Sequence, residues 1–130
     1  MYVEDNKAVV TAVYDAYQRG DVQGIINLHS PDALWIDYSP ANSDLRGDWR
    51  GPNGIEAFMT NLDMTMNVEK FVVQKLLAEG DTVISIIDTR FTPRGSNFQE
   101  EARLVQIFKL ANEKIVQMES FLSTSEEAFG

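Results

Sequence analysis

The sequence predicts an α+β fold, with helices first and a strand meander afterwards, on two observations. Toward the amino terminus apolar residues recur at helical spacing, whereas from Glu69 onward they alternate with a period of two. Turn-forming stretches, Glu79-Gly80-Asp81, Pro93-Arg94-Gly95-Ser96-Asn97 and Ala111-Asn112-Glu113, then divide the second half into segments of hairpin-strand length. Helices followed by strands, instead of alternating with them, is the α+β order.

Val9, Ala12, Val13, Ala16 and Tyr17 form one face of a first helix that ends at Gly20. Asp21 suits the cap of a short second helix carrying Val22, Ile25, Ile26 and Leu28, which Ser30-Pro31 should terminate because a residue before proline avoids helical angles. Ala33 to Tyr38 reads as a half-buried strand. The polar stretch SPANSDLRGDWRG then predicts a long loop with a short strand near Trp49. Gly51 and Pro52 suit the start of a third helix, in which Ile55, Phe58, Met59 and Leu62 share a buried face. Strands are expected near Lys70 to Leu77, Thr82 to Phe91, Phe98 to Leu110 and Lys114 to Leu122, pairing as consecutive antiparallel hairpins, with SEEAFG as an acidic tail.

Composition narrows the function. In 130 residues, 11 Lys and Arg stand against 20 Asp and Glu, a net charge of -9. Such a chain repels phosphate backbones and anionic lipid, which argues against nucleic-acid and membrane partners. Without cysteine there is no disulfide framework, thiolate nucleophile or thiolate metal site. The length fits one domain, residues 1–130, able to bury about two thirds of its unfolded surface. No apolar run approaches the roughly 18 residues of a membrane span, and MYVEDNK lacks the regions of a signal peptide, so the cytoplasm is the expected location.

Asp37 is the candidate site residue. It follows Ala33, Leu34, Trp35 and Ile36, and a charge in such a strand costs free energy unless its environment compensates it. Trp35 shares its strand parity and suits either a pocket wall or the core. His29, beside Ser30-Pro31, reads as a structural residue at a helix end before it reads as an acid or base. A lone histidine with no His-x-x-His or Glu-x-x-His spacing predicts no metal. RGPNG has neither the glycine pattern nor the lysine of a nucleotide loop, so no cofactor is expected. Glu100, Glu101, Arg103 and Glu119 should face outward. Arg103 is the candidate exception: if Val105 and Ile107 point inward, it lies on their face and could reach a carbonyl or anion. Trp49, large and apolar between Asp48 and Arg50, suits a plug or a subunit contact.

The order of a first helix, GDVQGIINLHSPDALWID, a loop, the RGPNGIEAF helix and a meander ending FKLANEKIVQMESF resembles the ketosteroid isomerase and SnoaL-like polyketide cyclase group of the nuclear transport factor 2-like superfamily. The resemblance covers nearly the whole chain. It implies a cone-shaped curved sheet, mixed or antiparallel, wrapped around three helices as a cystatin-like α+β roll with an apolar pocket. It also implies a homodimer paired through the outer sheet face, where Ile115 and Phe121 in one parity would need cover.

Along DALWID, Asp37 falls on the steroid isomerases' general base, which shuttles a proton between carbons of an enolisable ketone. The family's two oxyanion donors fall elsewhere. Its first-helix tyrosine aligns with Val13, leaving Tyr14 about 100° around the helix at the edge of the apolar stripe, and its second acid aligns with Val105. Both donors are therefore expected to be absent, unless a shift of the helix register restores Tyr14. The expected pocket comprises Tyr14, Tyr17, Trp35, Phe58, Met59, Arg103, Val105 and Met118 around Asp37. The function implied is cofactor-independent proton transfer, as in an isomerase or cyclase, on an apolar carbonyl or polyketide-like molecule. The alternative is a non-catalytic small-molecule-binding or dimerisation module of the same fold.

Overall fold

A computed structural model describes residues 3–40 and 43–124, so the expected acidic tail lies outside the described residues. Helix α1 (Val3–Arg19) buries Val10, Val13, Tyr14 and Ala16. It stops where Gly20 takes a left-handed φ of 71°. The Gly20 N–H then bonds to the Tyr17 carbonyl (3.0 Å) and the Asp21 N–H to that of Ala16 (2.9 Å), which satisfies two of the carbonyls in the last turn of the helix. Asp21 caps α2 (Val22–Asn27) by accepting the Gly24 N–H at 2.9 Å.

Helix α2 ends at Asn27, earlier than expected, and Ser30-Pro31 falls inside a longer strand, β1 (His29–Asp37). The angles that proline imposes on its predecessor suit a strand as well as a helix stop. A register irregularity between His29 and Leu34 accommodates the missing N–H. The short strand near Trp49 is β2 (Gly47–Arg50), antiparallel to β1 with Trp49 opposite Trp35. Both glycines of RGPNG have packing roles. Gly51 reverses the chain into α3 (Gly51–Thr65) at a φ of 70°, and a Cβ on Gly54 would lie 2.8 Å from the Trp49 backbone, so only glycine lets α3 sit this close to β2.

Strand β3 (Met66–Glu79) follows α3 without a loop, then β4 (Thr82–Pro93), β5 (Glu100–Ala111) and β6 (Lys114–Thr124). The curved, unclosed sheet has the order β2-β1-β6-β5-β4-β3. All neighbours are antiparallel except β1 and β6, which run parallel and place the end of β1 beside the middle of β6, the last strand of the meander. The helices cover the concave face, and the core fills the space between. Among the described residues no helix is long and apolar enough to cross a membrane.

Two expectations about strand parity are corrected. On β5 the inner face carries Ala102, Leu104, Gln106, Phe108 and Leu110, so Val105, Ile107 and Arg103 point outward. The inner set is the more apolar of the two, and burying it leaves Glu101, Arg103 and Lys109 in solvent. On β6 the register skips Val116, pairing Leu110 with Ile115 and Lys109 with Gln117. That bulge turns Ile115 inward to complete burial, while Phe121 stays outside and 38 % exposed.

Candidate functional site

Between the concave sheet face, α1 and α3 lies a cavity of about 140 Å3. Its wall is largely aromatic and aliphatic. Helix α1 contributes Val13, Tyr14 and Tyr17, α3 contributes Phe58, Met59 and Leu62, and the sheet contributes Trp35, Phe71, Phe108 and Met118. The aromatic rings brace one another: Trp35 meets Phe58 edge-on at 5.4 Å, and Tyr14 meets Phe108 edge-on at 6.1 Å.

Asp37 lines this cavity at the last position of β1, 6 % exposed. Its parity follows from the strand: Ala33, Trp35 and Asp37 are buried in alternation, while Tyr38 turns outward and stacks on Phe121 at 4.6 Å. The Ser39 backbone N–H donates to Asp37 Oδ1 at 2.8 Å. Arg46 Nη1 donates to the Ser39 carbonyl at 2.7 Å, tying the following loop to the same turn. Burial raises the Asp37 carboxyl above its ordinary value, and Ser39 and Arg46 only partly counter it. The result is a carboxyl group with increased proton affinity in an apolar cavity.

Tyr14 does not sit at the edge of the helix. Val10, Val13, Tyr14 and Tyr17 fall at i, i+3, i+4 and i+7, a stripe centred one residue later than the expected one, and Tyr14 is 7 % exposed within it. Its hydroxyl donates to Gln106 Oε1 at 2.7 Å. Burial pushes the phenol well above its ordinary value, so it remains a neutral donor. The sequence does not single out Gln106, because period-two spacing on β5 also allows the opposite parity, with Val105 and Ile107 inward. Comparing the apolar content of the two β5 faces would have placed it inside. The cavity therefore does hold hydrogen-bonding groups, at Tyr14 and Gln106, which corrects the expected absence of donors there.

Of the expected pocket residues, Tyr14, Tyr17, Trp35, Phe58, Met59 and Met118 meet around Asp37. Val105 and Arg103 do not. Val105 lies on the outer face, and Arg103 is held outside by Asp88, with Nε and Nη2 3.2 and 3.1 Å from one carboxylate oxygen. Trp49 is no plug. Its indole donates to the Leu45 carbonyl at 3.0 Å, its ring packs edge-on against Phe58, and Leu45 lines the cavity instead.

His29 has a structural position. Trp35 Nε1 is donor-only and lies 2.9 Å from His29 Nε2, so that nitrogen accepts. His29 Nδ1, 2.7 Å from the Ile25 carbonyl, therefore carries the proton. Burial lowers the imidazole to about 4, and the neutral ring braces Trp35 in the cavity wall. Among the described residues no three His, Asp or Glu side chains converge as a metal site.

The SnoaL-like domain family matches residues 10–118, from the middle of α1 into β6. No curated protein matches the chain. Among solved structures it is similar to an NTF2-like protein of unknown function from Burkholderia pseudomallei, at 19% identity and a TM-score of 0.85 over 96% of this chain and 95% of that one. It is similar to TerC, co-crystallised with polyporic acid, at 21% identity and a TM-score of 0.82 over 96% and 95%. It is also similar to a Catenulispora acidiphila protein of ketosteroid isomerase-like fold in complex with trimethylamine, at 17% identity and a TM-score of 0.76 over 88% and 85%. At such identities these likenesses establish the fold alone. The family match is of a different kind, because it runs through most of the chain and takes in both α1 and Asp37, and on that ground the chain belongs to the SnoaL-like domain family.

Proposed function

We propose that the protein binds an apolar, carbonyl-bearing small molecule in the cavity and moves a proton on it with Asp37 as base and then acid. The single observation behind this is a carboxyl group 6 % exposed on an apolar wall, its proton affinity raised by burial. Such a group removes a proton from the carbon next to a carbonyl, becomes a neutral acid, and returns that proton to the same or another carbon. Relatives that hold polyporic acid or trimethylamine support small-molecule binding as the use of the fold.

A second reading has one specific observation in its favour. The Ser39 N–H bond gives Asp37 a local turn-stabilising role, as in a binding or dimerisation module without chemistry. Exchange of the methyl protons of acetophenone in heavy water, followed by NMR, separates the two. The catalytic reading expects exchange with wild-type protein and none with Asp37→Asn, whose melting temperature should rise because asparagine keeps the Ser39 bond and removes a desolvated charge. A variant destabilised by about 1 to 3 kcal/mol with unchanged exchange would leave the binding module.

A further inference from the structure

Apart from His29 and Thr89, whose polar atoms are hydrogen-bonded, the polar residues of the largely apolar inner sheet face fall along one line that crosses four strands. Asp37 on β1 is the register partner of Ser120 on β6, Ser120 of Gln106 on β5, and Gln106 of Ser85 on β4. All four point to the concave side, and Asp37, Ser120 and Gln106 line the cavity. Polar groups on a buried face cost free energy, so four of them in one row call for a common use. The row is not satisfied internally. Ser85 Oγ is fully buried beside the Tyr14 phenol but makes no well-formed hydrogen bond, and the contact from Gln106 Nε2 to Ser120 Oγ is long, at 3.4 Å.

Gln106 is the member fixed in orientation. Its contact with the Tyr14 hydroxyl, 2.7 Å, has the length of an O–H···O bond and is short for one from an amide nitrogen, so the side-chain carbonyl faces Tyr14. The amide NH2 then lies on the Ser120 side of the row, toward Asp37. Tyr14 spends its proton on Gln106, and the two amide hydrogens have only one long contact between them. Asp37 and Gln106 stand two strand spacings apart, about 10 Å between backbones, and both reach in from a concave surface.

The geometry points to Gln106, aligned by Tyr14, as the neutral donor that holds the ligand's carbonyl oxygen opposite Asp37. This rests on the cavity being a carbonyl site. It narrows the ligand to a neutral hydrogen-bond acceptor on an apolar body, held by an amide that does not itself titrate.

Two probes of nearly the same shape test it: acetophenone, which accepts a hydrogen bond, and isopropylbenzene, which does not. A cavity of about 150 Å3 with apolar walls admits benzene-sized molecules, so both suit this one. Dissociation constants from NMR shifts should favour acetophenone about tenfold in the wild-type protein. Gln106→Met should abolish the preference, bringing the ratio of the two dissociation constants to about one. In Gln106→Glu the preference should persist at acidic pH, where a protonated carboxyl can donate, and vanish as it ionises; a merely structural role for residue 106 gives no such titration. Should the methionine variant fail to fold, that titration decides alone. A preference that survives Gln106→Met, or wild-type protein that binds both probes equally, overturns the donor assignment while leaving the cavity as a binding site. Failure of both probes to bind overturns the carbonyl-site reading, and the assignment with it.

Discussion

Trp35, donating one indole hydrogen to His29, links a titrating group to the cavity wall. With its imidazole lowered from 6.5 to about 4, His29 binds a proton more weakly folded than unfolded. Its contribution to stability is therefore fully present above pH 6.5 and is lost as pH falls from 6.5 toward 4, below which the loss saturates. The total is on the order of 3 kcal/mol for a shift of this size. Urea unfolding between pH 7 and 4.5 should show that decline in wild-type protein and a shallower one in His29→Gln. Equal slopes would mean that the imidazole is not held neutral. Asp37 works in the opposite direction: its raised carboxyl is a liability that appears as pH climbs past the ordinary carboxylate range, so its removal matters most near neutrality.

Hairpin geometry allows a prediction for the β5 to β6 connection. Asn112 and Glu113 both adopt positive φ, 53° and 65°, the signature of a two-residue turn that matches strand twist. Asparagine tolerates that region, but glutamate there carries a steric cost of about 1 to 2 kcal/mol. Glu113→Gly, far from the cavity, should raise stability by about 1 kcal/mol in urea titrations and leave acetophenone binding unchanged. A destabilised variant would mean that the glutamate makes a compensating contact. The same hairpin leads into the Val116 bulge, the irregularity that sets which β6 side chains reach the cavity.

Across the whole molecule, the convex face of the sheet carries an apolar patch among its charged residues. Val105, Ile107 and the Tyr38 and Phe121 stack lie on it, the last two 43 % and 38 % exposed. We propose that a second copy covers this face, which is the dimer the sequence suggests. Light scattering at tens of micromolar should then give twice the 14.7 kDa chain mass. Each copy carries a charge of -9, so added salt should favour association by screening the repulsion. Phe121→Glu should return the mass to 14.7 kDa without altering cavity binding. A monomeric wild-type protein would remove the dimer and leave the cavity proposals intact.

Periodicity and turn chemistry in the sequence determined the α+β order, the buried face of α3 and the inward turn of Asp37, because each depends on residues a few positions apart, whereas packing set the α1 stripe one residue later. The order RGPNG marked the start of α3, although only the packed structure explains both glycines. Parity on long strands was decided by tertiary structure. On a strand of twelve residues with apolar positions on both sides, such as β5, period-two spacing alone leaves the parity open, and burial of the more apolar face in the assembled sheet decides it. One bulge at Val116 reverses the parity of Ile115 relative to the rest of β6. For the same reason the row of Asp37, Ser120, Gln106 and Ser85 is invisible in the chain order: it exists only once the parallel pairing of β1 with β6 brings the end of the first strand beside the last.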